Sequence, residues 1–197
     1  LIGMGGSSLG ARSIYSFLNH KIKKKFNFFD NLNPIKSNNK LKKNDKLNII
    51  ISKSGNTLET IANVNFLRRK KQKNIFITEN KISYLNDLAQ KLKADVISHN
   101  NYIGGRYSVL SEVGMLPADL MGLNHKNFRQ FNNLVKNKKF INSLISNVSN
   151  ILELSKKKKT NSIILNYDQK SLNFFYWYQQ LVAESLGKKG KGLLPVI

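Results

Sequence analysis

The chain lacks cysteine altogether and has only three histidines among its 197 residues. Without thiols there is no disulfide framework and no thiolate metal site. The histidines, His20, His99 and His125, are scattered along the chain, so we expect no histidine-based metal site either. No apolar run approaches the roughly 20 residues that span a membrane, and no signal peptide is evident. A soluble cytoplasmic protein with no membrane partner is therefore the expectation.

Acidic residues are scarce, with 11 Asp and Glu against 33 Lys and Arg, which gives a formal net charge of +22. Such a charge is typical of proteins that bind nucleic acid. However, nearly all of the basic residues are lysines, and the lysine-rich stretches are also rich in Asn and Ile. Because these residues share A/T-rich codons, we hypothesise that genome composition accounts for the charge. No nucleic-acid partner is expected.

A hydroxyl-rich turn after an apolar strand is the most informative stretch of the sequence. The run Leu47–Ile51 is typical of a central parallel strand. Ser52, Ser54 and Thr57 then supply three hydroxyls, Gly55 permits a sharp turn, and Thr57 can cap the helix that follows. Free N–H groups and the positive end of the helix dipole point the same way, so we predict a phosphate site. An ordinary capped turn is the alternative, but it needs only one hydroxyl.

Two further turns contain paired glycines. Gly3, Gly5 and Gly6 allow a ligand to approach the backbone, although their spacing is not that of the dinucleotide-binding fingerprint. A second glycine pair directly precedes Arg106 and fixes this arginine at the start of a helix. Arg106 is either an electrophilic group near a substrate or the partner of a structural carboxylate, and the pattern alone leaves both interpretations open.

The last helix, predicted at residues 170–186, is apolar nearly all round, which indicates that it is buried. Gln180 and Glu184 are four residues apart and therefore share one of its faces. A carboxylate on a buried helix needs a partner or a raised pKa, which is the setting of a general base. The alternative is a structural glutamate paired with Lys188 or Lys189.

Short apolar stretches that alternate with helical patterns predict an α/β protein with a five-stranded parallel sheet covered by helices on both faces. Ligands of such sheets lie beyond the carboxyl ends of the strands, where the glycine turn and the hydroxyl-rich turn both lie. The helix after the hydroxyl-rich turn carries Leu58, Ile61, Ala62 and Phe66 on its apolar face. Strands are predicted at residues 1–3, 26–30, 47–52, 74–78 and 95–98, and helices at 34–41, 57–70 and 83–92.

Four motifs taken together resemble the phosphoglucose isomerase (glucose-6-phosphate isomerase) family, occur in that family's order and span nearly the whole chain. They are a glycine turn (GMGGSSLG, 3–10), a sugar-phosphate loop (SKSGNTLET, 52–60), a central signature (GGRYS, 104–108) and a helix motif (QQLVAESLGK, 179–188). Two departures occur in the second motif. Ser54 stands where Thr is commoner, and Gly55 with Asn56 replaces a bulkier pair.

The resemblance implies interconversion of glucose 6-phosphate and fructose 6-phosphate through a cis-enediolate, without a metal or other cofactor. It implies that Glu184 is the base that moves a proton between C2 and C1. It also implies that Arg106 stabilises the enediolate and that Gln180 hydrogen-bonds the substrate. The remaining implied site residues are Ser52, Lys53, Ser54 and Thr57 on the substrate phosphate, Gly6 and Ser7 along the pocket, and Glu59 just behind the contacting residues.

The family also implies two sugar-isomerase (SIS) domains, each an αβα sandwich, and a homodimer. Residues 1–123 would then form most of the first domain, 124–160 a helical connector, and 161–197 the start of the second domain. The chain would be an internal fragment without the family's ring-opening histidine and late catalytic lysine, so we expect it to bind substrate poorly and not to turn over alone. Two alternatives stay open. One is a bifunctional phosphoglucose/phosphomannose isomerase, suggested by the SGNT sequence at 54–57, and the other is a non-catalytic SIS sensor of sugar phosphates.

Overall fold

The computed structural model describes residues 1–32, 47–67 and 72–197. The helix predicted at 34–41 and the last residues of the helix predicted at 57–70 lie outside the described residues. The helices are α1 (Gly6–Phe17), α2 (Leu58–Leu67), α3 (Tyr84–Lys91), α4 (Glu112–Leu120), α5 (Asn132–Lys136), α6 (Lys138–Lys156) and α7 (Leu172–Leu186). The strands are β1 (Leu47–Ile51), β2 (Lys73–Thr78), β3 (Asp95–Ser98), β4 (Asn161–Ile163) and β5 (Leu194–Val196). Short 3-10 helices lie at Asn19–Lys21, Gly105–Leu110, His125–Arg129 and Gln169–Ser171.

Strands β1, β2 and β3 form a parallel sheet in that order. This sheet has three strands in the described part of the chain, so the prediction of five is wrong. The segment at 1–3 lies beside β1, and the segment at 26–30 lies beside residues 1–3; each pairing is a single bridge, from Ile2 to Ile50 and from Ile2 to Phe29. Helix α1 begins shortly after Ile2, so the chain leaves the sheet before a longer ladder can form. Strands β4 and β5 pair in parallel as a separate two-stranded sheet.

Helices cover both faces of the three-stranded sheet, as predicted, because successive strand residues point to opposite sides. On the side of α2 and α3 the buried residues are Ile2, Ile50, Phe76, Val64, Leu67, Leu85 and Ala89. On the side of α1 and α4 they are Leu1, Ile49, Ile51, Ile77, Ala11 and Val113. The two apolar clusters anchor β1 from both sides and so fix the turn that follows it.

The prediction of which α2 residues face the core is wrong. Its buried residues are Thr60, Val64 and Leu67. Leu58 and Phe66 are 74% and 59% exposed, and of the predicted face only Ile61 packs against the core. Apolar residues occur on more than one side of this helix, so their spacing does not determine which side faces the sheet.

Neither α6 nor α7 contributes a buried residue. The prediction that the last helix is buried is therefore wrong, and Leu186 at its end is 53% exposed. Helix α6 is amphipathic and exposes a row of apolar side chains, Phe140, Leu144, Val148 and Ile151. Among the described residues, no helix combines the length and the apolar character needed to cross a bilayer.

The core of the sheet gives a first test. Phe76 in β2 is fully buried, whereas Phe66 on α2 is 59% exposed. We expect Phe76→Ala to lower the free energy of unfolding by about 3–5 kcal/mol, because it leaves a cavity. The matched control Phe66→Ala should change it by less than about 0.5 kcal/mol. Urea unfolding of both variants measures the difference, and equal losses would contradict the assignment of the sheet side of α2.

Candidate active site

The glycine turn lies directly on the backbone that precedes Arg106. A Cβ atom added to Gly6 would come within 2.3 Å of the Gly105 carbonyl carbon and 2.7 Å of the Arg106 nitrogen. The buried hydroxyl of Ser108 donates to the Gly6 carbonyl at 3.4 Å and to the Gly105 carbonyl at 2.6 Å. Two loops far apart in the sequence are therefore in backbone contact, which requires glycine at position 6.

Arg106 makes contacts with helix α7. Its Nε donates to the Ser185 hydroxyl at 2.9 Å, and its Nη1 lies 3.5 Å from Glu184 Oε2. The indole N–H of Trp177 donates to the Arg106 carbonyl at 3.1 Å. The pKa of Arg106 is raised, chiefly by its hydrogen bond with Tyr107 and further by the charge of Glu184. The arginine thus has a carboxylate partner, and that partner is the predicted base.

Glu184 and Gln180 share one face of α7, as predicted. Gln180 Nε2 donates to Glu184 Oε1 at 2.9 Å, which holds the carboxylate beside Arg106. The Gln180 Oε1 atom is buried and has no hydrogen-bond partner in the described part of the chain. The expectation of a buried Glu184 is wrong, because its side chain is 50% exposed. Its ion pair is with Arg106, not with a nearby lysine.

The glycine turn also lies against this helix and against the end of β1. A Cβ on Gly5 would lie 2.8 Å from Gln180 Nε2, and one on Gly3 would lie 3.0 Å from the Ile51 carbonyl oxygen. Ser7 is half-buried at the start of α1, and a Cβ added to Gly3 would lie 3.1 Å from the Cβ of Ser7. The turn is therefore interposed between the hydroxyl-rich turn and the pair formed by Arg106 and Glu184.

Hydroxyl groups of the turn after β1 contact one another. The Ser52 and Thr57 hydroxyls are 2.8 Å apart, and those of Ser54 and Thr57 are 3.5 Å apart. Thr57 directly precedes α2, and its carbonyl accepts the Ile61 N–H at 3.0 Å. The three predicted hydroxyls therefore surround the amino end of a helix, where an anion is favoured.

Lys53 and Glu59 have different surroundings from the other predicted residues. The Lys53 ammonium donates to the Asn101 carbonyl at 2.7 Å and lies 3.5 Å from Glu79 Oε1. The half-buried Glu59 makes no ion pair with any of the described residues, and the ammonium of Lys53 is already engaged. The Lys53 carbonyl is also engaged, because it accepts the Glu79 N–H at 3.1 Å and the Thr78 hydroxyl at 3.3 Å.

Sequence reasoning missed Ser185, Tyr107 and Glu79. Ser185 and Tyr107 contact each other and Arg106, and both lie inside motifs whose neighbours were singled out. Glu79 follows β2 directly, and an acidic residue at the carboxyl end of a strand was the available signal. The described residues contain no group of three or more His, Cys, Asp or Glu that could hold a metal ion.

A family comparison agrees with this geometry. The family model described as phosphoglucose isomerase matches residues 1–192. This chain belongs to the phosphoglucose isomerase family. The resemblance inferred from the four motifs is therefore confirmed.

Individual phosphoglucose isomerase relatives support the assignment. The chain is 33% identical over 213 residues to the glucose-6-phosphate isomerase of Methanocaldococcus jannaschii, covering 100% of this chain and 52% of the relative. It is 32% identical over 228 residues to that of Acholeplasma laidlawii, covering 98% and 51%. A crystal structure of a hypothetical protein from Thermus thermophilus superposes with a TM-score of 0.80 at 25% identity, covering 99% of this chain and 51% of that one. The chain spans about half the length of the curated relatives it matches.

The contact between the two glycine loops of this chain can be tested by adding one methyl group. Gly6→Ala should lower the free energy of unfolding by about 1–3 kcal/mol, because the methyl group meets backbone that cannot move aside. The matched control is Gly105→Ala, whose Cβ would lie 3.9 Å from Gly6 Cα, an ordinary contact. Its loss should stay below about 1 kcal/mol. Thermal and urea unfolding measure both, and a tolerated Gly6→Ala would contradict the close approach.

The contacts of Glu79 predict a pH dependence of stability. The hydrogen bond from Lys81 and the charges of Lys81 and Lys53 hold the pKa of Glu79 below its ordinary value. A lowered folded-state pKa stabilises the protein above the unfolded-state pKa, and this contribution is lost as pH falls through the folded-state pKa. Glu79→Gln should therefore be less stable than the unchanged protein near neutral pH, and the difference should disappear in acid. Urea unfolding as a function of pH measures this, with Asp95→Asn, at an exposed position of β3, as the control, and a difference that persists in acid would contradict it.

Proposed function

We propose that the family-length protein, meaning this chain together with the remainder that its relatives have, interconverts glucose 6-phosphate and fructose 6-phosphate. The observation that carries the proposal is the 3.5 Å pairing of Arg106 with Glu184, with Gln180 bonded to the same carboxylate. The relatives from Methanocaldococcus jannaschii and Acholeplasma laidlawii both bear the name glucose-6-phosphate isomerase.

Glu184 and Arg106 are suited to an aldose–ketose isomerisation. The carboxylate of Glu184 removes the proton from C2 of the open-chain aldose, the electron pair moves to the carbonyl oxygen, and a cis-enediolate forms. Returning the proton to C1 gives the ketose, while a proton passes between the two oxygens. Arg106 remains positively charged throughout and stabilises the negative charge of the enediolate without a change of protonation. A half-exposed Glu184 is accessible to a substrate that enters from solvent.

The hydroxyl-rich turn is the proposed phosphate site. Ser52, Ser54 and Thr57 supply hydroxyl donors, and the first N–H groups of α2 supply the positive end of a helix. Lys53 contributes through its backbone, because its ammonium is bonded to Asn101 and faces Glu79. In this assignment Gly6 and Ser7 line the sugar, and Glu59 supports the amino end of α2 from behind.

The domain division stays part of the proposal. Residues 1–123 contain the three-stranded sheet and its helices, residues 124–160 contain α5 and α6, and the two-stranded sheet lies within 161–197. The exposed apolar row on α6 supports a role for further protein in covering this helix. We further propose a cytoplasmic homodimer that uses hexose 6-phosphates, needs no cofactor and has no nucleic-acid partner. The phosphomannose and sensor alternatives have no observation that favours them over this function.

The experiment uses the family-length protein in an assay of glucose 6-phosphate and fructose 6-phosphate interconversion. Glu184→Gln should lower kcat by about 10²–10⁴-fold, because it removes the base while keeping the size of the side chain. The control is Glu153→Gln on α6, where an exposed carboxylate pairs with Lys157. Full activity in Glu184→Gln would overturn the proposal. The 197-residue chain alone should show little or no turnover.

A further inference from the structure

We propose that Tyr107 and Ser185 are positioning residues, which hold the Arg106 guanidinium in the orientation that faces Glu184. This inference rests on the proposed function for its kinetic consequence, but the contacts that carry it are independent of any substrate. It assigns a task to two side chains that the catalytic scheme does not use.

Ser185 is bonded to both of the residues that it would organise. Its hydroxyl accepts the Nε–H of Arg106 at 2.9 Å and is 2.6 Å from the Tyr107 hydroxyl. The centre of the guanidinium lies 4.8 Å from the centroid of the Tyr107 ring, which is a cation–π contact. The hydrogen bond to Ser185 therefore fixes the Nε edge of the guanidinium, and the Tyr107 ring covers one of its faces. The Nη1 group is left directed towards Glu184.

Glu184 itself is a poor anchor for Arg106. Their closest atoms are 3.5 Å apart, at the outer limit of a hydrogen bond, and the carboxylate is 50% exposed. In the proposed reaction Glu184 also loses its charge each time it accepts a proton. Ser185 keeps its hydrogen bond to Arg106, and Tyr107 keeps its ring contact with the guanidinium, through that step. They can therefore hold the guanidinium in place at the moment when the enediolate needs it.

Glu184, Ser185 and Trp177 lie on one helix, which makes their arrangement around Arg106 rigid. Ser185 directly follows Glu184 on α7, so one helix carries both the base and the anchor of the arginine. Trp177, two turns earlier on the same helix, bonds the Arg106 carbonyl at 3.1 Å. The backbone and the side chain of Arg106 are thus both attached to α7.

The electrostatics of Tyr107 agree with this arrangement. The hydrogen bond with Ser185, and next the bond and charge of Arg106, hold the pKa of Tyr107 below its ordinary value. A phenol that merely lay on the surface would have no such neighbours. The shift supports the contacts but does not carry the inference.

The test compares Ser185→Ala, Ser185→Thr and Tyr107→Phe in the family-length protein. Ser185→Ala should lower kcat by about 30- to 100-fold with KM changed by less than about threefold, because a misdirected guanidinium fails mainly in the transition state. Ser185→Thr retains the hydroxyl and should restore most of kcat. Tyr107→Phe retains the ring and should lose about tenfold. The control is Tyr102→Phe, because Tyr102 is 91% exposed and outside these contacts.

A second readout does not depend on turnover. The Nε–H of Arg106, identified by its loss in Arg106→Lys, should exchange slowly with solvent in NMR spectra of the unchanged protein and of Ser185→Thr. In Ser185→Ala it should exchange rapidly. If the unchanged protein had no isomerase activity but the exchange followed this pattern, the proposed function would fail and the positioning role would stand.

Several results would overturn the positioning role itself. They are an unchanged kcat in Ser185→Ala, a raised KM with unchanged kcat, or equal Nε–H protection in Ser185→Ala and the unchanged protein. If Ser185→Ala does not fold, as judged by its unfolding temperature, Tyr107→Phe decides. Normal kcat and normal protection in that variant would exclude the role.

Discussion

The backbone contact between Gly6 and Gly105 is the constraint on which the candidate site depends. It joins the beginning of α1 to the segment that carries Arg106, although about a hundred residues separate them in the sequence. No side chain other than hydrogen fits at Gly6 without moving one of the two loops. Because the start of α1 follows directly from Ile2, which bonds to β1, the contact also sets the distance between Arg106 and the carboxyl edge of the sheet.

Helix α7 completes the site by packing on α1. The Ser13 hydroxyl of α1 donates to the Asn173 carbonyl near the start of α7 at 2.7 Å. Further along α7, Trp177, Glu184 and Ser185 all contact Arg106. Glu184 and Arg106 are therefore brought together by two helix contacts and one loop contact, each formed by residues distant in sequence. This places groups of opposite charge side by side without burying either one completely, which avoids most of the desolvation cost of an ion pair.

The large positive charge of the chain has only a small part in this site. The ammonium of Lys53, the lysine nearest the hydroxyl-rich turn, is bonded to Asn101 and faces Glu79. In the proposed phosphate site, anion affinity therefore comes from hydroxyl groups and from the amino end of α2. This is consistent with the hypothesis that most of the lysines reflect composition, since the lysines that the structure describes, apart from Lys53, are exposed.

The sequence by itself determined the family, the α/β class, the parallel sheet covered on both faces, and the four motifs that supply the candidate residues. These follow from local signals, namely apolar periodicity, glycine pairs and hydroxyl spacing, which act over a few residues. The tertiary structure alone decided which side of α2 is buried, that residues 1–3 and 26–30 form single bridges, and that Glu184 is half exposed. It alone also revealed that Ser185 and Tyr107 contact Arg106. The physical reason is that these features depend on contacts between segments far apart in the chain, and the spacing of residues within one segment carries no information about its distant neighbours.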